Sequence, residues 1–404
     1  MLPEELLVLP AELARVDALL DDEAFFAPFV PFFDPRIGRP STPMECYLRL
    51  MFLKFRYRLG YESLCREVGD SITWRRFCRI PLDGSVPHPT TLMKLTTRCG
   101  TAAVDGLNDA LLAKAAEAKL LRTTRVRVDT TVLPANVSYP TNSGLLAKAV
   151  RRIAANARRI HAAGGATRTH VRDRSRTAGK LAYQVASKQR SRAVLGKDEA
   201  QAAVRRVTGE LAGLAEQAAH DAEALLANAT ITLRRARAKA NRLKQSGQRD
   251  AAAGRRRSYK AQIADNDDGI ELDHDVARGN PPDAPRLAPA IQRISTRATR
   301  PPRTVSADRG YSDTSVENEL REMGVRNVVI PCSGKTSKTR QAHERRPAFR
   351  REVKWRTGCE GRISNLKRNY GWERTRIDTL HGARTWAGYG ILAHNLVKIG
   401  SLAQ

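Results

Sequence analysis

The sequence predicts a mixed α/β protein: a sheet-bearing domain over residues 121–404, split after its first strand by a helical insertion at 144–247, and an all-α domain over residues 1–120. Three observations predict it. An alternating β-branched run, Arg125-Val126-Arg127-Val128-Asp129-Thr130-Thr131-Val132, precedes a long Ala-, Arg- and Leu-rich stretch of helical periodicity. Beyond that stretch, short apolar runs alternate with amphipathic helices, the pattern of an α/β sheet. Before residue 120 the periodicity is helical only.

Charge narrows the partners. The 404 residues include 70 Lys+Arg against 42 Asp+Glu, a net charge of +28. Such a surplus suits phosphate neutralisation, so nucleic acid is the leading partner and an anionic membrane surface the second. It is far too basic for an ordinary metabolic enzyme. At roughly 100–200 residues per domain the length suits two or three domains, and 41% hydrophobic residues in periodic placement argue against disorder throughout. Met1-Leu2-Pro3-Glu4-Glu5 places acid where a secretory signal places base, and no run approaches the ~18 apolar residues of a spanning helix. The expectation is a soluble, cytoplasmic protein with no membrane partner. Six cysteines without a Cys-x-x-Cys pair predict reduced thiols and no structural zinc.

In chain order, Thr42-Pro43-Met44-Glu45 has the form of a capping box and starts a buried helix at 46–55. Helices near 61–68, 71–78 and 90–99 follow. They suit a helix-turn-helix-like module or a small bundle, acting in DNA contact or in dimerisation. The strand at 125–132 comes next, with Asp129 near its end. In the insertion, Leu146, Val150, Ile153, Ala157 and Ile160 step by 4, 3, 4 and 3, and Val204, Val207, Leu211, Leu214 and Ala218 by 3, 4, 3 and 4. These stripes predict a helical hairpin broken at Gly164-Gly165, packed on itself or forming a coiled coil between subunits. After Arg255-Arg256-Arg257, strands at 259–264 and 270–276 flank the turn Asn266-Asp267-Asp268-Gly269. A helix runs from Asn280-Pro281-Pro282-Asp283 through Ala298, and a strand at 304–308 stops at Arg309-Gly310-Tyr311-Ser312. A helix at 315–323, a strand at 325–330, a basic loop at 333–346 and helices at 349–370 and 382–399 complete the domain. Without the insertion, this is the order expected of an RNase H-like domain.

Three acids stand out by position. Asp129 ends the first strand, Asp308 ends the fourth, and Glu360 lies in a late helix. In an RNase H-like sheet the first and fourth strands are neighbours and a helix crosses their ends, so the three carboxylates converge. Hard ions such as Mg²⁺ take oxygen ligands of this kind, and two ions about 3.5–4 Å apart clamp an in-line displacement at phosphorus. Singly, each acid reads as a turn, cap or ion-pair residue; Glu271, Asp273 and Asp275 are competitors for the metal. Arg125 and Arg127 share the strand face of Asp129, an awkward load unless they reach phosphate or acids of the insertion. On one continuous helix Arg356, Glu360 and Lys367 fall within roughly 60° of each other. Trp355, Ile363, Leu366 and Tyr370 form an apolar stripe a quarter-turn away. A carboxylate flanked by two cations suits a phosphodiester, with Arg as fork and Lys as point charge.

These stretches together resemble the DDE transposases of bacterial insertion sequences, in the group with the signature Tyr-x2-Arg-x3-Glu-x6-Lys. The resemblance rests on Val128-Asp129-Thr130-Thr131-Val132 with 135–146, on Gly279-Asn280-Pro281-Pro282-Asp283-Ala284-Pro285, on Ala307-Asp308-Arg309-Gly310-Tyr311, and on Arg356-x3-Glu360-x6-Lys367. Gly38-Arg39-Pro40 and Tyr61-Glu62-Ser63-Leu64 resemble the N-terminal region of that family. Val353 stands at the signature's Tyr position and Asn142 where related sequences often have Asp. The resemblance implies a transposase, dimeric on double-stranded DNA and nucleoid-associated, that recognises terminal inverted repeats, cleaves at the element end and joins the 3′-hydroxyl to target DNA. It implies Asp129, Asp308 and Glu360 as the catalytic, metal-binding carboxylates for two Mg²⁺ ions, with Mn²⁺ able to substitute, and Arg356 and Lys367 as DNA contacts. The rival readings are a structure-selective nuclease of the same fold and a catalytically silent DNA-binding repressor derived from a transposase.

Overall fold

A computed structural model of the chain describes residues 8–25, 27–32, 42–135, 142–162, 166, 168–190, 197–228, 258–334 and 336–403. Its sheet has the order β3-β2-β1-β4-β5, built from β1 Arg125–Pro134, β2 Ser258–Asp265, β3 Glu271–Arg278, β4 Thr304–Ala307 and β5 Asn327–Val329. β1 is central. It runs antiparallel to β2, with Asp129 opposite Ile263, and parallel to β4, with Val128 opposite Ala307. β-branched residues suit such a strand because both of its faces are covered, and Val126 and Val128 are fully buried. At the β2–β3 turn the Asn266 Oδ1 accepts the Ile270 amide at 2.9 Å, and Gly269 takes a left-handed φ of 78°.

Helices cover both faces. α9 Ala284–Ala298 sits on the face of Gln262 and Asp273: Gln262 Nε2 donates to the Arg286 carbonyl, and Arg293 and Arg297 pair with Asp273. α10 Thr314–Glu322 packs beside α9. The other face lies under α12 Pro347–Arg356, α13 Gly358–Asn369 and α14 Thr379–Leu402. The expected basic loop contains a further helix, α11 Lys338–Glu344, capped by Ser337 and held by Arg340 ion pairs to Glu317 and Glu344.

The N-terminal helices share one apolar core with this sheet. α1 Ala11–Leu20, α2 Met44–Arg56, α3 Tyr61–Asp70, α4 Ile72–Phe77 and α5 Pro89–Glu117 contribute Leu13, Leu50, Leu64, Phe77 and Leu107 to it, alongside Val128 and Leu392. Inside it the Tyr47 hydroxyl donates to Thr96 at 2.9 Å and lies 3.0 Å from that of Tyr389 in α14. The expected capping box does not form. Pro43 is the N-cap of α2 and has neither a side-chain acceptor nor an N–H to complete the box, while Glu45 pairs with Arg49 and Arg79. Arg49 is fully buried and draws Asp17, Asp21 and Glu45 around it. Gly38-Arg39-Pro40 lies outside the described residues.

A second compact unit, Val137–Arg255, holds the insertion; the first comprises Met1–Asn136 and Arg256–Gln404. The stripes at 146–160 and 204–218 do pack, but a further helix joins them. α6 Asn142–Ala162, α7 Ser175–Arg190 and α8 Lys197–Ala227 enclose Ala147, Val150, Ala178, Leu211 and Ala218. Two Ala-rich stripes bury little apolar area alone, and Ala178, Leu181 and Ala182 of α7 supply the missing face. Arg151, Arg152, Arg158 and Arg159 are exposed, whereas Gly164-Gly165 lies outside the described residues.

Leu211→Ala is expected to cost this bundle about 2–5 kcal/mol, since Leu211 is fully buried. Trp74, Trp355, Trp372 and Trp386 all lie outside Val137–Arg255. In a thermal scan, part of the helical circular dichroism should therefore be lost below the temperature at which tryptophan fluorescence changes, and below the wild-type onset.

Candidate active site

Two of the three acids are placed by the sheet register. Val128 and Ala307 are opposite each other on parallel β1 and β4, so Asp129 and Asp308 are the next residue on each chain, at a strand spacing of roughly 4.8 Å. β4 ends there because Asp308 turns inward to its own backbone: its Oδ1 accepts the Gly310 amide at 2.6 Å and caps the short turn Arg309–Tyr311. Glu360 comes from the first turn of α13, which packs on β1.

The helix expected over 349–370 is two helices joined at Thr357. The Thr357 amide bonds to the Lys354 carbonyl and the Glu360 amide to the Thr357 carbonyl, a tighter spacing than α. One cause lies in β1, where Arg127 Nη1 donates to the Trp355 carbonyl at 3.1 Å and takes an acceptor from the helix ladder. Arg356 therefore ends α12 instead of sharing a continuous face with Glu360 and Lys367.

Arg356 Nη1 donates to Asp129 Oδ2 at 2.8 Å, and the Thr130 amide donates to Oδ1 at 2.8 Å. Burial pushes the Asp129 carboxyl above its usual range; the charges of Asp308 and Glu360 push the same way, while Thr130 and Arg356 pull it back. Both other acids are thus within electrostatic reach of Asp129. Asp129 is buried, Asp308 half-buried and Glu360 exposed. Lys367 stands two turns along α13 from Glu360, ~10 Å of helix rise. It is half-buried, and burial pulls its amine below the usual lysine range.

Arg125 and Arg127 turn to acids of the sheet and its flanking helix, not to the insertion. Arg127 binds both oxygens of Asp265, at 2.6 and 2.7 Å, and Arg125 pairs with Asp267 and Glu352. The Trp355 ring lies under both guanidinium groups, with centroids 4.1 and 4.9 Å away, so it is a cation–π platform rather than part of an apolar stripe. The competing acids are engaged elsewhere: Asp273 with Arg293 and Arg297, Asp275 with Arg286. Glu271 is buried beside Asp265 and Arg362.

Sequence reasoning missed two features. Asp283 pairs with Lys260 at 2.7 Å, and a Cβ at Gly310 would sit 2.9 Å from Asp308 Oδ1 and 3.2 Å from Asp283 Oδ2, so a fourth carboxylate borders the Asp308 turn. The other is Asp265, which the hairpin turn places at a strand end opposite Arg127; the unexplained arginine on β1 was its signal.

Among the described residues, no three His, Cys, Asp or Glu side chains are grouped so as to hold a metal ion. In donor chemistry the site nevertheless fits a hard divalent cation. It offers carboxylate oxygens, the ligand type such ions take; the Asp129 carboxyl is pushed up mainly by burial and to a lesser degree by Asp308 and Glu360, with Thr130 and Arg356 opposing. Among the described residues no helix is long and apolar enough to cross a membrane.

Comparison with known proteins gives two family matches. Residues 4–98 match the family model of a transposase domain, DUF772, and residues 229–396 match that of the transposase DDE domain. Asp308, Arg356, Glu360 and Lys367 fall within the second match, while Asp129 lies between the two. An uncharacterized protein, ORF8 in the nfe locus of Rhizobium meliloti, is 27% identical over 157 residues, which cover 36% of this chain and 73% of that protein. No solved structure matches the chain. The two matched domains, met in this order on one chain, support a bacterial insertion-sequence transposase of the DDE class.

Proposed function

We propose that this protein binds the terminal inverted repeats of its own element, cleaves DNA at their ends and joins the freed 3′-hydroxyl to target DNA. In this proposal an RNase H-like domain over 121–404 is the catalytic part, with the insertion at 144–247, and residues 1–120 serve DNA binding or dimerisation. The carrying observation is that Asp129 and Asp308 each directly follow the paired residues Val128 and Ala307 of the parallel β1 and β4, with the charges of Asp308 and Glu360 both felt at Asp129. Asp129, Asp308 and Glu360 would hold two Mg²⁺ ions, which when bound supply charge neutralisation at the phosphorus and lower the proton affinity of the attacking oxygen.

The chain's own residues do the positioning. Arg356 uses Nη1 to hold Asp129, and the rest of a half-buried guanidinium fork of five N–H donors suits a phosphate oxygen beside that carboxylate. Lys367 contributes a point charge on the Glu360 helix. The outward side of α12 shows Arg350, Arg351 and Lys354, all exposed and without an acidic partner among the described residues, which suits a duplex backbone running past the site. Protein acting on DNA as a dimer, in the bacterial cytoplasm at the nucleoid, completes the proposal.

The test is incubation of the full-length protein with a labelled duplex carrying the DNA that flanks its coding sequence, with Mg²⁺ and a target plasmid. Cleaved ends joined to plasmid are expected. Hydrolysed ends with no joined product would favour the nuclease, and binding without cleavage the repressor.

Binding should fall steeply with salt, at about −0.9 in log-log slope per phosphate neutralised. Lys367→Ala should reduce that slope by roughly one and weaken binding nearly equally across sequences, because a phosphate contact positions DNA without reading bases. An unchanged slope and cleavage rate would make Lys367 a plain helix-face charge.

A further inference from the structure

We infer that Asp265, gripped by Arg127 and Arg362, is a positioning residue that holds the Glu360 helix in register with Asp129. The inference rests on the proposed catalytic role of Glu360. Asp265 is fully buried at the end of β2 and binds one arginine from each of the two elements that must be aligned. Arg127 stands two residues before Asp129 on β1, and Arg362 two residues after Glu360 on α13. Arg127 reaches Asp265 through Nε at 2.6 Å and Nη2 at 2.7 Å, and holds the Trp355 carbonyl through Nη1 at 3.1 Å; Arg362 Nε reaches Asp265 Oδ2 at 3.3 Å. One carboxylate thus ties the strand of Asp129 to the helix joint that bears Arg356 and Glu360.

The backbone around both arginines is built to admit them. A Cβ at Gly358 would lie 2.3 Å from Arg127 Nη1, and one at Gly269 would lie 1.7 Å from Arg362 Nη2. Each guanidinium occupies space that a glycine leaves open. Apolar contacts already dock α13, since Cys359 and Leu366 are fully buried and Tyr370 nearly so. Such contacts tolerate small slides and rotations. A bidentate fork does not, because both of its bonds must stay short and in plane. A buried ion network is weak evidence for added stability and is better understood here as fixing one arrangement among several of similar energy.

The test compares three full-length variants, Glu360→Gln, Asp265→Asn and Gly358→Ala, in single-turnover cleavage of the flanking-DNA duplex with Mg²⁺. Affinity for that duplex, melting temperature and amide hydrogen exchange of residues 357–362 are measured alongside. Glu360→Gln should abolish cleavage. Gly358→Ala places a Cβ where Arg127 Nη1 lies and should lower the melting temperature modestly, yet, assayed well below melting, cleave about 10–100-fold more slowly, the scale of a ~1 Å misplacement. Asp265→Asn should cleave slower still. Both should bind the duplex within about twofold of wild type and exchange faster at 357–362. Continued cleavage by Glu360→Gln would remove the role on which the inference stands, and the inference with it. With Glu360→Gln inactive, wild-type cleavage and exchange in Gly358→Ala and Asp265→Asn would overturn the positioning role alone. So would losses of cleavage matched by equal losses of affinity for the duplex.

Discussion

Asp308→Asn is expected to lower cleavage of the flanking-DNA duplex by roughly 10³-fold or more, the equivalent of several kcal/mol at the reacting phosphorus. DNA affinity should change little. Asn keeps the size of Asp and can still accept the Gly310 amide that caps the Arg309–Tyr311 turn, so the local fold has no reason to alter. What disappears is the charge of one of the three carboxylates that the proposed two-ion site requires. Removing it should also relieve the push on Asp129, whose carboxyl is held up by burial and by the charges of Asp308 and Glu360. The direct measurements are single-turnover cleavage with Mg²⁺ or Mn²⁺ and filter binding without either. Undiminished cutting by the variant would remove Asp308 from the catalytic set. A parallel loss of DNA affinity would make it a structural residue.

Arg356→Gln should have the second largest effect, on stability and cleavage together. The Arg356–Asp129 pair is largely shielded, with side-chain exposures of 14% and 11%. Breaking such a pair costs roughly 2–5 kcal/mol because the remaining charge is left uncompensated; the Gln amide retains a donor and keeps the loss toward the low end. The pH dependence has a definite sign. In the folded protein the Asp129 carboxyl already lies above its ordinary range, chiefly through burial, and loss of the guanidinium raises it further. A carboxyl whose folded pKa exceeds its unfolded value favours the folded state most when protonated, below about pH 4. Stability is then lost as pH rises through the folded pKa. The variant's deficit in melting temperature should therefore be small in acid, widen toward neutrality and level off above the folded pKa. A deficit that shrinks as pH rises would exclude Arg356 as the counter-charge of Asp129. Mg²⁺ should raise the variant's melting temperature more than the wild type's if a cation binds beside that carboxylate.

Much of this molecule is legible in one dimension because its cues are local. The hairpin at Asn266–Gly269 is an example: an Asn side chain that bonds the Ile270 amide and a glycine with left-handed φ are properties of five consecutive residues. The same holds for the strand that ends at Asp308, where the acid caps its own turn. Helix α9 was legible from its prolines and apolar spacing, and the Asp308 position from where its strand was expected to stop; Asp129, expected at the end of the first strand, lies instead in the middle of β1, because pairing with β2 carries that strand on to Pro134. Less legible were features in which two distant residues compete for one group. The capping box did not form because the helix cap falls on Pro43, leaving Glu45 to pair with buried Arg49, and α7 went unseen because its apolar face has meaning only against α6 and α8.

Periodicity, turn chemistry and side-chain type set the order of the five strands, the parity of β1 and the residues able to supply three carboxylates, but not α7, α11 or the joint at Thr357. Only the tertiary structure decided which charges meet. Arg127 and Arg125 face the same side as Asp129 by strand parity, but their partners Asp265 and Glu352 are 138 and 227 residues away. The break at Thr357 arises because Arg127 takes the Trp355 carbonyl across the sheet–helix boundary. No window of the sequence contains both partners of such a bond. Their pairing is set by burial, which leaves each charge dependent on whichever opposite charge the packed core brings within reach.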